Sequence, residues 1–180
     1  MKHYLLALPL LALGGPALAN TGIINFTGSI KAGTCPIEIR DPAGGTNGEV
    51  RMGRAMVENF TKAGDESNHR HFVIEVADGS QCAGWNGAGN NVAKVRFTGM
   101  DGGVDNGTLF ALKAGGATNL ALGLRDRENN QVGHNSLSGE YPLNDTGKSD
   151  LGFTVFYKST AHPVTAGTAN ADLSLELEIN

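Results

Sequence analysis

Residues 20–35 read NTGIINFTGSIKAGTC, and this stretch decides how the fold of the whole chain is interpreted. Apolar or small residues alternate with polar ones along it, and a period of two is typical of a half-buried β-strand. The apolar face consists of Ile24, Phe26, Gly28, Ile30 and Ala32. Such a strand needs a hydrophobic groove, which belongs either to its own domain or to a neighbouring molecule.

Residues 1–19, which precede this arm, have the features of a secretory leader. Lys2 supplies a positive start, residues 5–13 an apolar run, and residues 17–19 the small-x-small pattern of a cleavage site. We therefore expect export, with a mature chain that starts at Asn20. An uncleaved amino-terminal anchor is the alternative, and it fits the cleavage pattern less well. No later stretch approaches the roughly 18 apolar residues that a bilayer crossing needs, so membrane insertion is not expected.

The rest of the chain has the composition of an all-β protein. The full chain contains 26 glycines, and its apolar residues recur in short runs separated by turn residues. The formal net charge of −4 argues against nucleic acid or an anionic membrane as a partner. No linker or repeat divides residues 20–180, which is enough chain for one domain with a real core.

Short alternating runs predict seven or eight strands. They are residues 36–40, 50–56, 71–76, 93–99, 108–113, 119–125, 151–158 and 167–180, whereas the polar segment 61–69 is expected to form a loop. The last run is the longest, and one of its faces carries Gly167, Ala169, Ala171, Leu173, Leu175, Leu177 and Ile179. Without a long amphipathic helix, this pattern predicts an immunoglobulin-like β-sandwich.

The chain has two cysteines, Cys35 and Cys82, and in an exported protein such a pair is expected to form one disulfide. A catalytic thiol is the alternative. Neither cysteine lies in a C-x-x-C motif or a Cys/His signature, so the structural pairing is preferred.

Together these features resemble the chaperone-usher pilus (fimbrial) subunits, of the type 1 fimbrial protein class. The resemblance covers the whole predicted mature chain. Its carriers are the arm INFTGSIKAGTC, the two cysteines, KVRFTG, the LNDTG turn before GFTVFYK, and the terminal GTANADLSLELEIN, in which Gly167 holds the place of a family glycine.

The resemblance implies an incomplete sandwich, the pilin fold, which lacks its last strand and leaves a groove beside its carboxyl-terminal strand. Residues 20–34 would be a donor-strand extension, with Ile24, Phe26, Gly28 and Ile30 filling a neighbour's groove, and residues 35–180 the pilin domain. A periplasmic chaperone would first occupy the groove, and an outer-membrane usher would then direct the exchange. The product would be a fimbrium on the cell surface that supports adhesion.

One residue departs from the family pattern at the carboxyl end. The family commonly has an aromatic residue, usually tyrosine, in the penultimate position, where this chain has Ile179. Isoleucine keeps the apolar face but removes a ring that would pack against the chaperone. By resemblance, the carboxylate of Asn180 still docks on basic chaperone residues.

Candidate chemical sites are weak. His69 and His71 are two residues apart, as metal ligands on one strand face would be, but no third ligand is recognisable, and exposed strand-end histidines are the preferred interpretation. Asp101, Asp105 and Asn106 do not match the Ca²⁺-loop pattern and are expected to form a turn. We therefore expect no enzyme, metal or cofactor.

Trp85 supports the main alternative function. It lies among Asn86, Asn90 and Asn91, and an exposed tryptophan beside amides can stack on a sugar, which would make the chain a carbohydrate-binding minor subunit or adaptor. Tip adhesins of the family carry an additional binding domain and lack the arm, so Trp85 is expected to be a packing residue.

Overall fold

The computed structural model describes residues 22–28, 35–45, 48–87 and 89–180, the first of these segments as backbone only. The predicted leader lies outside the described residues, as does Ile30. Within the described chain, no helix has the length and apolarity needed to cross a membrane.

Within the described residues the chain forms strands and two single-turn 3-10 helices, Val57–Asn59 and Gly79–Gln81. The strands are β1 (Gly22–Gly28), β2 (Ile37–Arg40), β3 (Glu49–Gly53), β4 (Glu66–Val76), β5 (Val92–Gly99), β6 (Gly103–Val104), β7 (Leu109–Phe110), β8 (Leu120–Arg125), β9 (Ser136–Leu137), β10 (Tyr141–Pro142), β11 (Ser149–Ser159) and β12 (Ala171–Ile179).

The strands form two sheets that face each other, as an immunoglobulin-like sandwich requires. Sheet A has the order β10-β5-β12-β1-β3, with β9 also paired to β5, and sheet B has the order β2-β4-β11-β8-β7-β6. Most neighbours are antiparallel, but β1 is parallel to β12. This parallel pairing places β1, the part of the amino-terminal arm that the structure describes, inside sheet A of its own chain.

The core lies between the sheets and is centred on Phe153 of β11. Its ring centroid lies 5.1 to 5.6 Å from those of Phe72, Phe97 and Tyr141. The phenol of Tyr141 is buried, donates to the carbonyl of Gly152 at 2.6 Å and accepts from the backbone N–H of Arg127 at 3.0 Å. Burial raises the pKa of Tyr141 to about 12. The all-β sandwich predicted from the sequence is therefore confirmed.

Three predicted segment boundaries are wrong. Residues 66–69 belong to β4 rather than to a loop, since their polar side chains lie over sheet B, where Glu66 meets Arg125 at 2.8 Å. Within the predicted strand 108–113, two residues form a strand, β7. The carboxyl-terminal strand begins at Ala171, so Gly167 and Ala169 lie ahead of it despite sharing its period.

Side chains bond to two backbone groups of β3, the edge strand of sheet A. The carboxylate of Asp41 accepts from the N–H of Arg51 at 2.8 Å, and the carbonyl of Met52 accepts from Asn68 Nδ2 at 3.0 Å and from Arg70 Nε at 3.4 Å. An open sheet edge is a template for further strands. These side-chain bonds leave fewer free backbone groups on the edge at β3.

Phe156 is a fully buried aromatic residue on the outer face of sheet B. Its ring lies across β8, where a Cβ on Gly123 would fall 2.3 Å from the ring. The ring also stacks on His69 with centroids 5.2 Å apart and lies 4.2 Å below the guanidinium of Arg125. Glycine at 123 thus provides the space for an aromatic residue that polar side chains cover.

Glu66 completes this outer cluster by pairing with the cation above the ring. Burial alone would raise the pKa of Glu66, but its hydrogen bond and charge interaction with Arg125, together with contacts to His69 and Lys158, outweigh burial and lower the pKa. The ionised carboxylate therefore stabilises the cover of Phe156.

Candidate functional site

The candidate site is the channel in sheet A between β12 and β3. The inner face of β12 consists of Ala171, Leu173 and Leu175, all buried, and the inner face of β3 consists of Val50 and Met52, both fully buried. A strand between them covers apolar floor residues at alternate positions. Main-chain pairing on both sides supplies direction and register.

In this structure β1 of the same chain occupies the channel. Its Ile24, Phe26 and Gly28 positions pair with Ala171, Leu173 and Leu175 respectively. On its other side β1 is antiparallel to β3, with Ile24 beside Val50. The three predicted donor positions that the structure describes therefore share the inner face of the sheet, while Ile30 lies outside the described residues.

Burial along β12 decreases toward the carboxyl end. Leu175 is 4% exposed, whereas Leu177 and Ile179 are partly buried and pack against the rim of the core. Within the described residues, pairing between β1 and β12 ends at Leu175. On its other edge β12 continues to pair with β5 as far as Ile179 and Ala93.

The last residue is held by the domain itself. The N–H of Asn180 donates to the carbonyl of Val92, and the N–H of Val92 donates to the carbonyl of Asn180, both at 3.0 Å. The backbone of Ile179 lies against Gly84, where a Cβ would fall 2.5 Å from the Ile179 carbonyl oxygen. The strand therefore remains in sheet A up to the carboxyl end.

Gly167 and Ala169 have packing roles next to the channel. A Cβ at Gly167 would fall 2.5 Å from the backbone nitrogen of Ala117, which explains the glycine by close approach of two chain segments. The carbonyl of Ala169 accepts from the buried phenol of Tyr157 at 2.7 Å, and burial raises the pKa of Tyr157. These residues fix the start of β12 without being part of its ladder.

The predicted disulfide is present. Cys35 and Cys82 are bonded, are separated by 47 positions in sequence, and are both nearly buried. The 3-10 turn before Cys82 begins at Asp78, whose carboxylate accepts from the backbone and hydroxyl of Ser80, and these bonds lower the pKa of Asp78. The bridge fixes the residue at which the arm joins the domain.

Trp85 packs against the domain as predicted. It is half-buried at the rim of the core, and its ring covers Gly79, where a Cβ would fall 2.7 Å from the ring. Two of the neighbouring amides close the loop, since the N–H of Asn86 donates to Asn91 Oδ1 at 2.6 Å and Asn91 Nδ2 returns a bond to the Asn86 carbonyl at 2.8 Å. Asn91 is buried. Nothing in this arrangement favours a sugar site.

The histidines and acidic residues singled out in the sequence lie apart from the channel. His69 stacks on Phe156, and His71 Nδ1 lies 2.8 Å from the hydroxyl of Thr154, so both are residues of β4 rather than strand-end residues. Asp105 accepts from the hydroxyl of Thr108 within a turn. Among the described residues no group of three potential ligands is placed to hold a metal.

Comparison with known proteins gives one consistent result. The family model described as "Fimbrial protein" matches residues 24–180. Long polar fimbria protein A of Salmonella typhimurium is 30% identical over 98% of this chain and 96% of its own length.

Solved structures agree in fold. The crystal structure of a Burkholderia pseudomallei antigen and type I fimbria protein is 25% identical and covers 90% of this chain and 94% of its own, with a TM-score of 0.54. The P pilus rod subunit PapA is 19% identical and covers 79% of this chain and 99% of its own, also with a TM-score of 0.54. The second likeness concerns the fold alone.

Proposed function

This chain belongs to the fimbrial protein family and is a structural subunit of a surface fimbria, and from that premise we propose that it polymerises by donor-strand exchange. Residues 20–34 of one copy fill the channel between β12 and β3 of the next. The arm thereby becomes the last strand of a neighbour's sandwich. The resulting fibre supports adhesion of the cell that carries it.

One observation carries this proposal: the arm backbone already lies as a strand between β12 and β3, with its apolar positions on the inner face. All copies have the same sequence, so the arm of another copy offers the same side chains to the same floor. Exchange of an identical element between copies adds no new kind of contact. A molecule whose arm fills its own channel is then a closed monomer, and exchange frees both the arm and the channel for other copies.

The hydrophobic effect provides the driving force. Burial of each large apolar side chain of the arm, at Ile24, Phe26 and Ile30, contributes about 1.5 to 3 kcal/mol. Main-chain pairing with two neighbours adds to this. Once the arm has left its own channel, the channel would expose Val50, Met52 and Leu173 and the subunit would aggregate, so a temporary occupant is required until another arm arrives.

That occupant, in this proposal, is a periplasmic chaperone that lends a strand, and an outer-membrane usher directs the exchange. The leader in residues 1–19 brings the chain to the compartment where the disulfide forms. Ile179 in the penultimate position keeps an apolar contact for the chaperone but offers no ring. The chaperone site that faces Ile179 is therefore expected to be aliphatic rather than aromatic.

The disulfide gives the fibre a mechanical junction. Tension on an exchanged arm is transmitted to Cys35, and from there through the bridge to Cys82. Cys35 also lies next to β2, the edge strand of sheet B, which pairs with β4. Pull on the arm is thus transmitted to the domain at two points, β2 and Cys82.

The experiment compares two aspartate substitutions in the arm of the full chain, produced with its chaperone and usher. Phe26→Asp places a charge at an inner position, beside Leu173, whereas the matched control Thr27→Asp changes an outer position, beside Ser174. We expect Phe26→Asp to abolish the heat-sensitive ladder of multimers in detergent gels and Thr27→Asp to retain it.

Deletion of residues 20–33 provides the second part of the test. The shortened subunit should still accept an arm and bind chaperone, because its channel is intact, but it should not extend a fibre. Extension of fibres by the deleted chain, or by Phe26→Asp at the wild-type level, would refute donor-strand exchange.

A further inference from the structure

The strand β3 is the wall of the channel that faces β12, and among the described residues it has one strand neighbour. That neighbour is β1, because sheet A ends in the order β12-β1-β3. Departure of the arm therefore removes the ladder that joins β3 to the rest of sheet A. A segment with few remaining bonds opens locally. The wall needs an attachment that does not include the arm if the channel is to keep its shape.

Three side chains attach β3 to the part of the chain that builds sheet B. The carbonyl of Met52 accepts from Asn68 Nδ2 at 3.0 Å and from Arg70 Nε at 3.4 Å, and both donors belong to β4. The N–H of Arg51 donates to Asp41, which directly follows β2, at 2.8 Å. We call these three contacts the wall bonds. None of them includes a residue of the arm.

We propose that Asp41, Asn68 and Arg70 are positioning residues for strand exchange, because they hold β3 in place while the channel is empty. The channel then keeps the width of one strand between the departure of one arm and the entry of another. This inference rests on the proposed function, since it concerns the state through which exchange passes.

The backbone of β4 is bent in a way that directs Asn68 toward β3. Arg70 pairs with Val155 of β11 and Ser67 pairs with Tyr157, so three steps along β4 match two steps along β11. Asn68 lies in this bulge with a φ of +57°, in the left-handed region that asparagine tolerates better than most residues. A bulge redirects a side chain that a regular strand would place on one of its faces.

Neighbouring polar groups orient the amide of Asn68. The hydroxyl of Ser67 donates to Asn68 Oδ1 at 3.1 Å, and Asn59 Nδ2 donates to the same Ser67 oxygen, also at 3.1 Å. Because Oδ1 is engaged by a donor, Nδ2 is the atom that faces the carbonyl of Met52. A chain of three hydrogen bonds thus ends on the wall strand.

Gly53, the last residue of β3, makes room for the second donor. Its φ of +70° lies in the left-handed region, and a Cβ there would fall 3.0 Å from Nη2 of Arg70. A larger residue would therefore be strained and would crowd the guanidinium. Glycine at this position allows Arg70 to reach across from β4 to the end of β3.

Asp41 is fixed before it meets the wall. It is buried, and its carboxylate accepts from the backbone N–H groups of Ala43 at 2.8 Å and Gly45 at 3.2 Å. Hydrogen bonds to a carboxylate are stronger than those between neutral groups. The bond to Arg51 is therefore made by an acceptor that its own loop already holds in position.

Hydrogen exchange of the mature full chain, followed by NMR on the closed monomer, tests whether the wall remains when the arm leaves. The amide of Arg51 bonds to Asp41 and should stay protected during arm departure, whereas the amides of β1 should exchange. We expect a protection factor for Arg51 at least about tenfold above those of β1. Equal protection factors would mean that the wall detaches with the arm, which would overturn the inference.

Substitution of Asn68 identifies the contribution of its side chain. Asn68→Gly keeps the left-handed backbone but removes the donor, and it should lower the protection of Arg51 about fivefold, the effect of losing one neutral hydrogen bond. The fall is measured relative to the amide of Val155 in β11, which reports global unfolding. The matched control is Asn129→Gly, at an exposed residue with a φ of +66°, which should change neither amide by more than about twofold. An Arg51 amide unaffected by Asn68→Gly would remove Asn68 from the wall bonds.

Binding of a synthetic peptide of residues 20–34 links the wall bonds to exchange. The acceptor is the full chain with Phe26→Asp, whose own arm no longer competes for the channel. Asn68→Gly together with Arg70→Met should raise the Kd of the peptide about fivefold, because the channel is then ready for binding in a smaller fraction of molecules. The control Asn129→Gly should leave the Kd within about twofold.

The outcomes of the peptide experiment separate the two levels of the proposal. A bond that only stabilises the domain is lost equally from empty and filled molecules, so it changes the urea midpoint but not the Kd. An unchanged Kd in the double variant would therefore overturn the positioning role and leave donor-strand exchange intact. Failure of the peptide to bind the Phe26→Asp chain would instead refute the proposed function, while hydrogen exchange would still decide whether the wall bonds hold β3.

Discussion

Replacement of Gly123 by alanine should destabilise the domain through Phe156, far from the channel. A Cβ at this position would lie 2.3 Å from Cζ of the ring and 2.4 Å from Cε2, whereas ordinary contacts begin at 3.4 Å. The ring must therefore move by about 1 Å or more, given such a contact limit. This movement is opposed by His69, which stacks on the ring, and by the guanidinium of Arg125, which lies over it.

The magnitude follows from these contacts. Overpacking of a well-packed site costs about 1 to 3 kcal/mol, part of it here from the loss of a cation–π contact of about 0.5 to 1 kcal/mol. Gly152→Ala is the matched control, because it lies on the same sheet and nothing approaches its Cβ position within 4 Å. Because glycine loses more backbone conformational entropy on folding than alanine does, that variant should be more stable than the wild type, by about 0.5 to 1 kcal/mol.

Urea unfolding of the two variants and the wild type, followed by circular dichroism, measures the difference. The midpoint of Gly123→Ala should fall by about 0.5 to 1.5 M with an unchanged slope. In a Phe156→Ala background the same substitution should cost little, since the ring is gone. A Gly123→Ala variant as stable as Gly152→Ala would refute the assigned role of the ring.

Three further outcomes are expected. Replacing Cys35 and Cys82 by alanine should lower the free energy of unfolding by about 4 kcal/mol for a separation of 47 residues, measured by urea titration. The folded-state pKa of Tyr141 is raised to about 12, so its contribution to the free energy of unfolding is complete below about pH 10 and is lost as pH rises through the folded value. Between these pH values the stability of Tyr141→Phe should therefore fall less steeply than that of the wild type. The pKa of Glu66 is lowered, so its contribution is present above its ordinary pKa and is lost as pH falls through the folded value. Glu66→Gln should therefore flatten the loss of thermal stability on acidification, and an unchanged profile would contradict the ion pair with Arg125.

The sheets and their strands were largely predictable from alternation, because inward and outward positions differ in chemistry along β5, β11 and β12. Residues 66–69 were not, since the outer face of β4 is polar and an exposed polar strand resembles a loop. The start of β12 was also misplaced. Ala169 continues the period of two, yet its carbonyl bonds to the Tyr157 phenol rather than to a neighbouring strand.

The channel was predictable in composition but not in occupancy. An apolar face at Ile24 and Phe26 satisfies any channel of matching period, so the sequence does not distinguish a chain's own arm from that of another copy. Equally hidden was the contact of Gly123 with Phe156, because residues on neighbouring strands are distant in sequence. The bonds from Asn68 and Arg70 to Met52 also become visible only when the two sheets are placed in space.

The closure of β3 by side chains has a consequence for the shape of a fibre. With Asp41 on the N–H of Arg51, and Asn68 and Arg70 on the carbonyl of Met52, two backbone groups of that edge are already bonded and do not offer themselves to strands of molecules alongside. Copies of this subunit are thereby steered away from lateral sheets of the amyloid type. If the subunit polymerises by the donor-strand exchange proposed above, growth proceeds head to tail, and the length of the fibre depends on how many arms have found a partner.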